Sequence, residues 1–124
     1  MASKSALVVS TDVHRLSDYK LALADIFDEV HQASTFAEAK ALLLDKCPDV
    51  LVAEVRLLEF NGIHLVLWSQ NQLPDLRSVI VGDSDLVLKR DATDAGAAYR
   101  EYGDMKAIVA AAQATRPTRN RTAS

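Results

Sequence analysis

The chain contains the stretch Pro48-Asp49-Val50-Leu51-Val52-Ala53-Glu54. It begins with a proline and an aspartate, continues with four apolar residues and ends with an acidic residue. The residue before a proline is driven out of the helical region, so a helix that precedes this stretch must end before Pro48. A short apolar run bounded in this way is typical of a strand that is covered on both faces. The segment therefore predicts a central strand at 50–53, with Glu54 at its carboxyl end.

The same alternation of apolar runs and helix-like stretches occurs five times along the chain. Apolar runs predict strands at 6–9, 30–33, 50–53, 78–81 and 97–102. Apolar residues at helical spacing, such as Leu16, Tyr19, Leu23 and Ile26, predict helices at 12–27, from Thr35 to before Pro48, 63–70, 85–95 and 105–114. Thr35 and Glu38 have the capping-box spacing that begins the second helix. Regular strand–helix alternation predicts a doubly wound α/β fold with a five-stranded parallel sheet covered on both faces.

The composition of the strands predicts their order in the sheet. The first, third and fourth strands are almost entirely apolar, as central strands of a parallel sheet should be. The second strand contains His31 and Gln32 and the fifth contains Arg100 and Glu101, so these two suit the edges. With right-handed crossovers, the order 2-1-3-4-5 satisfies these constraints. This is the order of a flavodoxin-like three-layer sandwich.

Length and charge limit the classes of function. The 124 residues fit one domain, which we expect at 1–115, followed by a basic polar tail at 116–124. A net charge of -3 gives no general attraction to nucleic acid or to an anionic membrane. The single cysteine, Cys47, excludes an intrachain disulfide, and the start of the chain lacks the apolar core of a secretory signal. These features favour a cytoplasmic protein.

Candidate site residues follow the carboxyl ends of the predicted strands, where ligands bind in doubly wound sheets. These residues are Ser10, Thr11 and Asp12 after the first strand, Glu54 after the third, Asp83 after the fourth and Tyr102 after the fifth. No glycine follows the first strand to let a phosphate approach the backbone, which disfavours an enzyme of the flavodoxin type.

The stretch from Pro48 to Arg56, which closes at Asn61-Gly62, resembles the receiver domain of bacterial two-component response regulators. Leu7-Val8-Val9, Val79-Ile80-Val81 and Ala95-Gly96-Ala97 extend the resemblance over roughly 5–114. It implies a CheY-like fold and a signalling role. It also implies that Glu54 stands at the position of the phosphoacceptor aspartate.

The other positions that the resemblance assigns differ from those of a receiver. Ser10 and Thr11 match the paired metal-binding acids, although a one-residue shift would let Asp12 replace one of them. Asp83 matches the residue whose hydroxyl contacts the phosphoryl group, and Tyr102 matches the lysine. Tyr99 matches an aromatic residue that moves between inward and outward positions.

These departures predict that the site does not accept a phosphoryl group. Phosphoryl transfer depends on positioning and on cations that neutralise charge, and this set of residues contains acids without a counter-cation. Asp83 also places a negative charge where a phosphoryl oxygen would lie, and two like charges ~5 Å apart at an effective dielectric of ~20 repel by about 3 kcal/mol. We therefore expect no bound metal, no cofactor and no enzymatic activity. An atypical receiver, or pseudo-receiver, that acts through phosphorylation-independent protein interaction fits best.

Alternatives remain open at this stage. Glu54 either mimics a phosphorylated aspartate or is simply solvated at an unused site. Asp12, Glu54 and Asp83 either hold a divalent cation or repel one another until one takes up a proton. Rival functions are a domain that senses a metal or small ligand through the acidic residues, and a receiver that is still phosphorylated.

Two surfaces are candidates for a protein partner. Leu65 and Trp68 either form an exposed pair on the third helix or pack against a neighbouring helix. The resemblance assigns output to the face formed by the fourth helix, the fifth strand and the fifth helix, which here includes Leu86, Tyr99 and Met105. A signalling protein, an output domain or a second copy of the chain could bind this face.

Overall fold

A computed structural model of the chain describes residues 4–57 and 61–114, so the predicted tail at 116–124 lies outside the described residues. The five strands, β1 to β5, are Ser5–Val9, Glu29–Ala33, Val50–Glu54, Arg77–Gly82 and Ala98–Glu101. The five helices, α1 to α5, are Val13–Leu23, Phe36–Lys46, Gly62–Gln72, Leu86–Asp94 and Met105–Gln113. Strands and helices alternate along the chain, as the sequence predicts.

All strand pairs are parallel and the sheet order is β2-β1-β3-β4-β5, which confirms the predicted topology. Every residue of β1 and β3 is buried, whereas β2 and β5 expose polar residues at the two edges. Glu54 of β3 lies in register with Val81 of β4, so the carboxyl ends of the central strands meet along one edge of the sheet.

The sheet separates two apolar cores. Alternate strand residues, such as Leu7 and Leu51, face α2, α3 and α4 on one side. Their neighbours, such as Val8 and Val52, face α1 and α5 on the other side. This alternation follows from the two-residue period of a strand, and it explains why the central strands are apolar on both faces.

Polar side chains begin the helices where the sequence predicts. The Asp12 carboxylate accepts hydrogen bonds from the His14 and Arg15 amides at the start of α1. The Thr35 hydroxyl accepts one from the Glu38 amide at the start of α2. α1 ends at Leu23, earlier than predicted, because the carbonyl of Leu23 accepts turn hydrogen bonds that lead the chain toward β2.

The structure of α3 decides between the two alternatives for Leu65 and Trp68. Leu65 is fully buried in the core, whereas Leu67 on the same helix is 48% exposed. Trp68 is half-buried, and the ammonium of Lys40 on α2 lies 5.0 Å from the centroid of its ring. Of the two alternatives, the exposed pair is excluded because Leu65 is buried, and Trp68 packs beside the neighbouring helix α2. Among the described residues, no helix is long and apolar enough to cross a bilayer.

Candidate functional site

The carboxylate of Glu54 lies at the centre of the candidate site and is completely buried, with 0% of the residue exposed. Its Oε1 accepts hydrogen bonds from the Ser10 hydroxyl at 2.7 Å and from Arg15 Nη2 at 3.1 Å. Its Oε2 accepts from Arg15 Nε at 2.5 Å and from the Tyr19 hydroxyl at 2.6 Å. A buried carboxylate is therefore satisfied by one cation and two hydroxyl groups.

The local structure of α1 brings Arg15 and Tyr19 to this carboxylate. Asp12 ends the β1–α1 loop and begins the helix, which places Arg15 in the first turn. Residues four apart share a helix face, so Tyr19 lies beside Arg15 and one turn further along. A cation in the first turn opposes the helix dipole. The contact with Glu54 provides a specific interaction that offsets this unfavourable position.

The guanidinium of Arg15 also contacts two further elements. Its Nη1 lies 3.6 Å from a carboxylate oxygen of Asp12. Its central carbon lies 5.0 Å from the centroid of the Tyr102 ring, which follows β5. Arginine is suited to this position because a planar fork can bind a carboxylate at two points while its face stacks on an aromatic ring. Arg15 therefore links the ends of β1, β3 and β5.

The ionisation of these groups reflects the same contacts. The hydrogen bond to Glu54 raises the pKa of Arg15 beyond its usual value, so Arg15 stays charged. Burial, followed by the bond to Glu54, raises the pKa of the Tyr19 hydroxyl. Burial also raises the pKa of Tyr102, and the charge of Glu54 adds to the effect. The Arg15 amide lowers the pKa of Asp12, although burial opposes this shift. Both tyrosine hydroxyls therefore keep their protons at neutral pH.

A second ion pair lies at the end of β4 and is exposed. Arg56 Nη2 lies 3.0 Å from a carboxylate oxygen of Asp83, and the two side chains are 70% and 53% exposed. The Asp83 carboxylate therefore has its own cation. The Asp83 carbonyl accepts a hydrogen bond from the Tyr99 hydroxyl at 2.6 Å, so Tyr99 is buried and points inward.

Gly82 leaves the space that the inward Tyr99 ring needs. A Cβ atom at Gly82 would lie 2.3 Å from the Tyr99 hydroxyl oxygen and 2.8 Å from Cγ1 of Val55. Real side chains do not tolerate such distances, so any larger residue at this position would displace a neighbour. Gly82 follows the fourth predicted strand, but no sequence pattern indicates that its missing side chain makes room for Tyr99.

The structure corrects three expectations about the acids. The site does have counter-cations, because Arg15 pairs with Glu54 and Arg56 pairs with Asp83. Glu54 is not solvated. The repulsion that one alternative expected among Asp12, Glu54 and Asp83 is offset, since an arginine lies beside each carboxylate. The sequence identified the acids but missed the arginines that neutralise them, since ionic contacts across the fold leave no spacing pattern.

The remaining predicted residues differ in how far they are buried. Ser10 is buried against Glu54, whereas Thr11 is exposed. Tyr102 is half-buried and stacks on Arg15. On the predicted output face, Leu86 is 84% exposed. Met105, the first residue of α5, packs against the core on the α1 and α5 side of the sheet.

The residues present do not suit the divalent metal that the resemblance implies. Within 4–57 and 61–114, no three His, Cys, Asp or Glu residues come together as a metal-binding group. The Arg15 guanidinium pairs with two carboxylates of the site, those of Asp12 and Glu54. A cation that belongs to the protein therefore lies where a metal would need these oxygens.

The sheet order and the five-fold alternation of strands and helices are those of the CheY-like fold. A CheY-like receiver domain protein from Methanospirillum hungatei JF-1 superposes with a TM-score of 0.79 at 22% identity, covering 87% of this chain and 89% of that one. The signal receiver domain of an HD domain-containing protein from Pseudomonas fluorescens Pf-5 also gives 0.79 at 22% identity, over 89% and 91% of the two chains.

Sequence comparison adds one curated relative. The chain is 39% identical over 83 residues to the DNA-binding transcriptional activator DevR/DosR of Mycobacterium tuberculosis. The match covers 65% of this chain but only 38% of the activator, so the chain spans well under half of that protein. No protein-family model matches the chain.

Proposed function

We propose that this chain is a receiver-type signalling domain that acts by binding a protein partner and does not need to be phosphorylated. The fold and the similarity to receiver domains support the signalling role. The observation that carries the second part is the complete burial of Glu54, with both carboxylate oxygens bonded to other side chains. Without chemistry at this carboxylate, the domain is not expected to act as an enzyme.

Phosphorylation requires an accessible carboxylate oxygen aligned with the phosphodonor. Each oxygen of Glu54 accepts two hydrogen bonds, so an attack on phosphorus would first have to break the contacts with Arg15, Ser10 or Tyr19. Displacements of about 1 Å are enough to slow positioned reactions by roughly a hundredfold. A receiver stabilises the charge of the phosphoryl group with a metal ion and a lysine. This chain has Tyr102 after β5, where the lysine is expected, so that cation is missing from this position.

The contacts of Glu54 and Tyr99 favour a domain held permanently in one state. The Glu54 carboxylate is paired with the Arg15 cation, which is the feature that a phosphorylation mimic requires. Tyr99 is fixed inward by its bond to Asp83 and by the space above Gly82. Neither contact depends on a phosphoryl group. A metal- or ligand-sensing role has less support, since every acid of the site lies beside an arginine.

The face formed by α4, β5 and the start of α5 is the surface that we propose for the partner. Leu86 and Val87 project from the first turn of α4, 84% and 67% exposed. A depression of about 360 Å³ next to them is bordered by Lys89, Arg100 and Glu101. Apolar residues surrounded by charges are typical of a protein interface. Either a signalling partner or a second copy of the chain could bind there.

Intact-mass spectrometry tests the absence of phosphorylation. The chain is incubated with acetyl phosphate and Mg²⁺, beside a phosphorylatable receiver that confirms the reaction conditions. We expect no increase in mass by one phosphoryl group. A stoichiometric adduct that disappears in Glu54→Gln would contradict the proposal. An adduct that persists in that variant would place the chemistry at another residue and would contradict it as well.

Sedimentation velocity distinguishes the two kinds of partner. If a second copy binds the α4–β5–α5 face, wild type dimerises with increasing concentration and Leu86→Glu remains monomeric. If both proteins sediment as monomers at every concentration, the partner is a different protein. Dimerisation that Leu86→Glu leaves unchanged would show that this face is not the contact between copies.

A further inference from the structure

We propose that Arg15 is a built-in replacement for a divalent metal ion, and that it joins the ends of three strands without any bound metal. This inference rests on the proposed function, because it explains how a receiver-type site remains closed without phosphorylation. Arg15 lies between Asp12 and Glu54 and is not one of the residues of the surface proposed for the partner.

The oxygen atoms around Arg15 are of the kind that a hard divalent cation prefers. The Asp12 and Glu54 carboxylates both contact the guanidinium, and the Ser10 hydroxyl is bonded to the same Glu54 oxygen that Arg15 Nη2 contacts. Carboxylates and hydroxyl groups are typical ligands for Mg²⁺, Ca²⁺ and Mn²⁺. A positive charge supplied by the chain occupies this position.

The guanidinium makes more contacts than a surface ion pair. Two of its nitrogen atoms bind Glu54, a third faces Asp12, and its carbon lies 5.0 Å from the ring centroid of Tyr102. It therefore contacts side chains that follow or end β1, β3 and β5. The exposed pair of Arg56 and Asp83 provides a contrast, since it joins only two side chains on neighbouring strand ends.

Tyr102 fits the same arrangement. A lysine after β5 would place a second cation against Arg15 and would repel it. An aromatic ring at this position attracts a guanidinium instead. The two departures from a receiver, a cation on α1 and an aromatic residue after β5, are therefore complementary. Each is explained by the other.

The position of Arg15 between two carboxylates determines how the domain should respond to divalent metal ions. Wild type should be indifferent to divalent cations, because the Arg15 guanidinium already pairs with both carboxylates. Arg15→Ala leaves Glu54 buried without a cation, next to Asp12 and the Ser10 hydroxyl. This variant should take up a divalent cation from solution, since the oxygen ligands remain and the competing charge is gone.

Thermal unfolding with Mn²⁺ tests this consequence in the full chain. We compare wild type, Arg15→Ala and the double variant Arg15→Ala/Glu54→Gln, each in NaCl of matched ionic strength as the control for screening. Without metal, the midpoint of Arg15→Ala should fall by about 10 °C. At a Mn²⁺ concentration about tenfold above the dissociation constant, it should recover by about 5 °C. The double variant and wild type should not respond.

The outcome is decisive even if Arg15→Ala does not fold without metal. In that case Mn²⁺ should restore the helical circular dichroism signal, and a failure to restore it would overturn the proposal. A folded Arg15→Ala whose midpoint ignores Mn²⁺ would overturn it equally. The double variant must remain unresponsive, because a response without the Glu54 charge would show that the metal binds elsewhere.

Wild type provides an independent measurement. Paramagnetic Mn²⁺ broadens the amide signals of residues close to a bound ion. We expect the signals of Ser10, Asp12 and Glu54 to remain sharp in wild type, and selective broadening of these three would contradict the role of Arg15. Such broadening would leave the proposed function intact, since that is tested by the intact mass of the protein after incubation with acetyl phosphate.

Discussion

Two arginine–carboxylate pairs lie at the same edge of the sheet, and they differ mainly in burial. Arg15 pairs with Glu54, which is completely buried, whereas Arg56 pairs with Asp83 on the surface. The chemical groups are identical in both pairs. Exposed pairs contribute little to stability because water screens and solvates both charges, but a buried charge that loses its partner is strongly destabilising. The position in the fold, not the chemistry, decides which pair matters.

The register of the sheet explains the difference in burial. Glu54 is the last residue of β3, a central strand with neighbours on both sides, so its side chain lies under the first turns of α1. Asp83 follows Gly82, the last residue of β4, and its side chain is 53% exposed. The buried end is fixed by ionic contacts. The β4 end is fixed by the packing of Tyr99 over Gly82.

Replacing Arg15 with alanine should give the largest effect at this edge. The variant leaves the buried Glu54 carboxylate without its cation, and the expected loss is about 3 kcal/mol in the free energy of unfolding. This value is at the low end of the range because the Arg15 side chain is 42% exposed. Urea denaturation measures it. Arg15→Lys, which keeps the charge but not the fork, should lose less, and equal losses would show that geometry rather than charge is decisive.

Replacing Gly82 with alanine tests the fixed end at β4. The added methyl group would meet the Tyr99 hydroxyl and Val55, so we expect a loss of about 2 kcal/mol from overpacking. Tyr99→Phe removes the oxygen that the methyl group would contact. A double-mutant cycle between the two changes should therefore show a coupling of about 1 kcal/mol. Additive effects would mean that Gly82 does not determine the inward position of Tyr99.

Replacing Tyr19 with phenylalanine removes one donor to Glu54 while the Arg15 contact remains. A hydrogen bond to a charged group contributes about 1.5 kcal/mol or more, so we expect a loss of this order at neutral pH. The change should be smaller than that in Arg15→Ala. A larger loss would reverse the importance that the structure gives to the cation and the hydroxyl.

The same variant should alter the response to alkaline pH. Folding raises the pKa of Tyr19 above its reference value of 10.0, so the unfolded chain releases this proton first. The stabilisation is complete below about pH 10 and is lost as the pH rises above it, because the folded state binds more protons there. Urea denaturation between about pH 8 and about pH 11 should show a weaker decline in Tyr19→Phe. Equal slopes would contradict this prediction.

Replacing Arg56 with alanine should give the smallest effect. Both members of this pair are largely exposed, and Asp83 can be solvated without its partner. We expect the midpoint of thermal unfolding to equal that of wild type. A loss comparable with that of Arg15→Ala would show that burial does not explain the difference between the two pairs.

The sequence predicted the sheet well because apolar patterns report directly on burial. The polar residues of β2 and β5 identified the two edges, and the run that ends at Glu54 identified a central strand. Capping by Asp12 and Thr35 was also predictable, since a cap acts on amides two or three residues away. α3 shows where such patterns fail. It has apolar residues on several sides, so periodicity could not separate buried Leu65 from exposed Leu67.

The electrostatics of the site could not be predicted in the same way. Glu54 is 39 residues from Arg15 and 44 from Ser10, and no local rule joins groups at such separations. One signal was present in the sequence, because an arginine in the first turn of a helix opposes the helix dipole and therefore calls for a specific partner. Arg56 carried no signal of this kind.

The sequence alone determined the order of the strands, the ends of most helices and the acidic residue at the edge of the sheet, because these depend on burial and on neighbouring residues. Only the tertiary structure decided the charge balance of the site. Packing α1 across the end of β3 brings Arg15 to Glu54 and excludes water from the carboxylate, and in a medium of low dielectric that contact becomes strong.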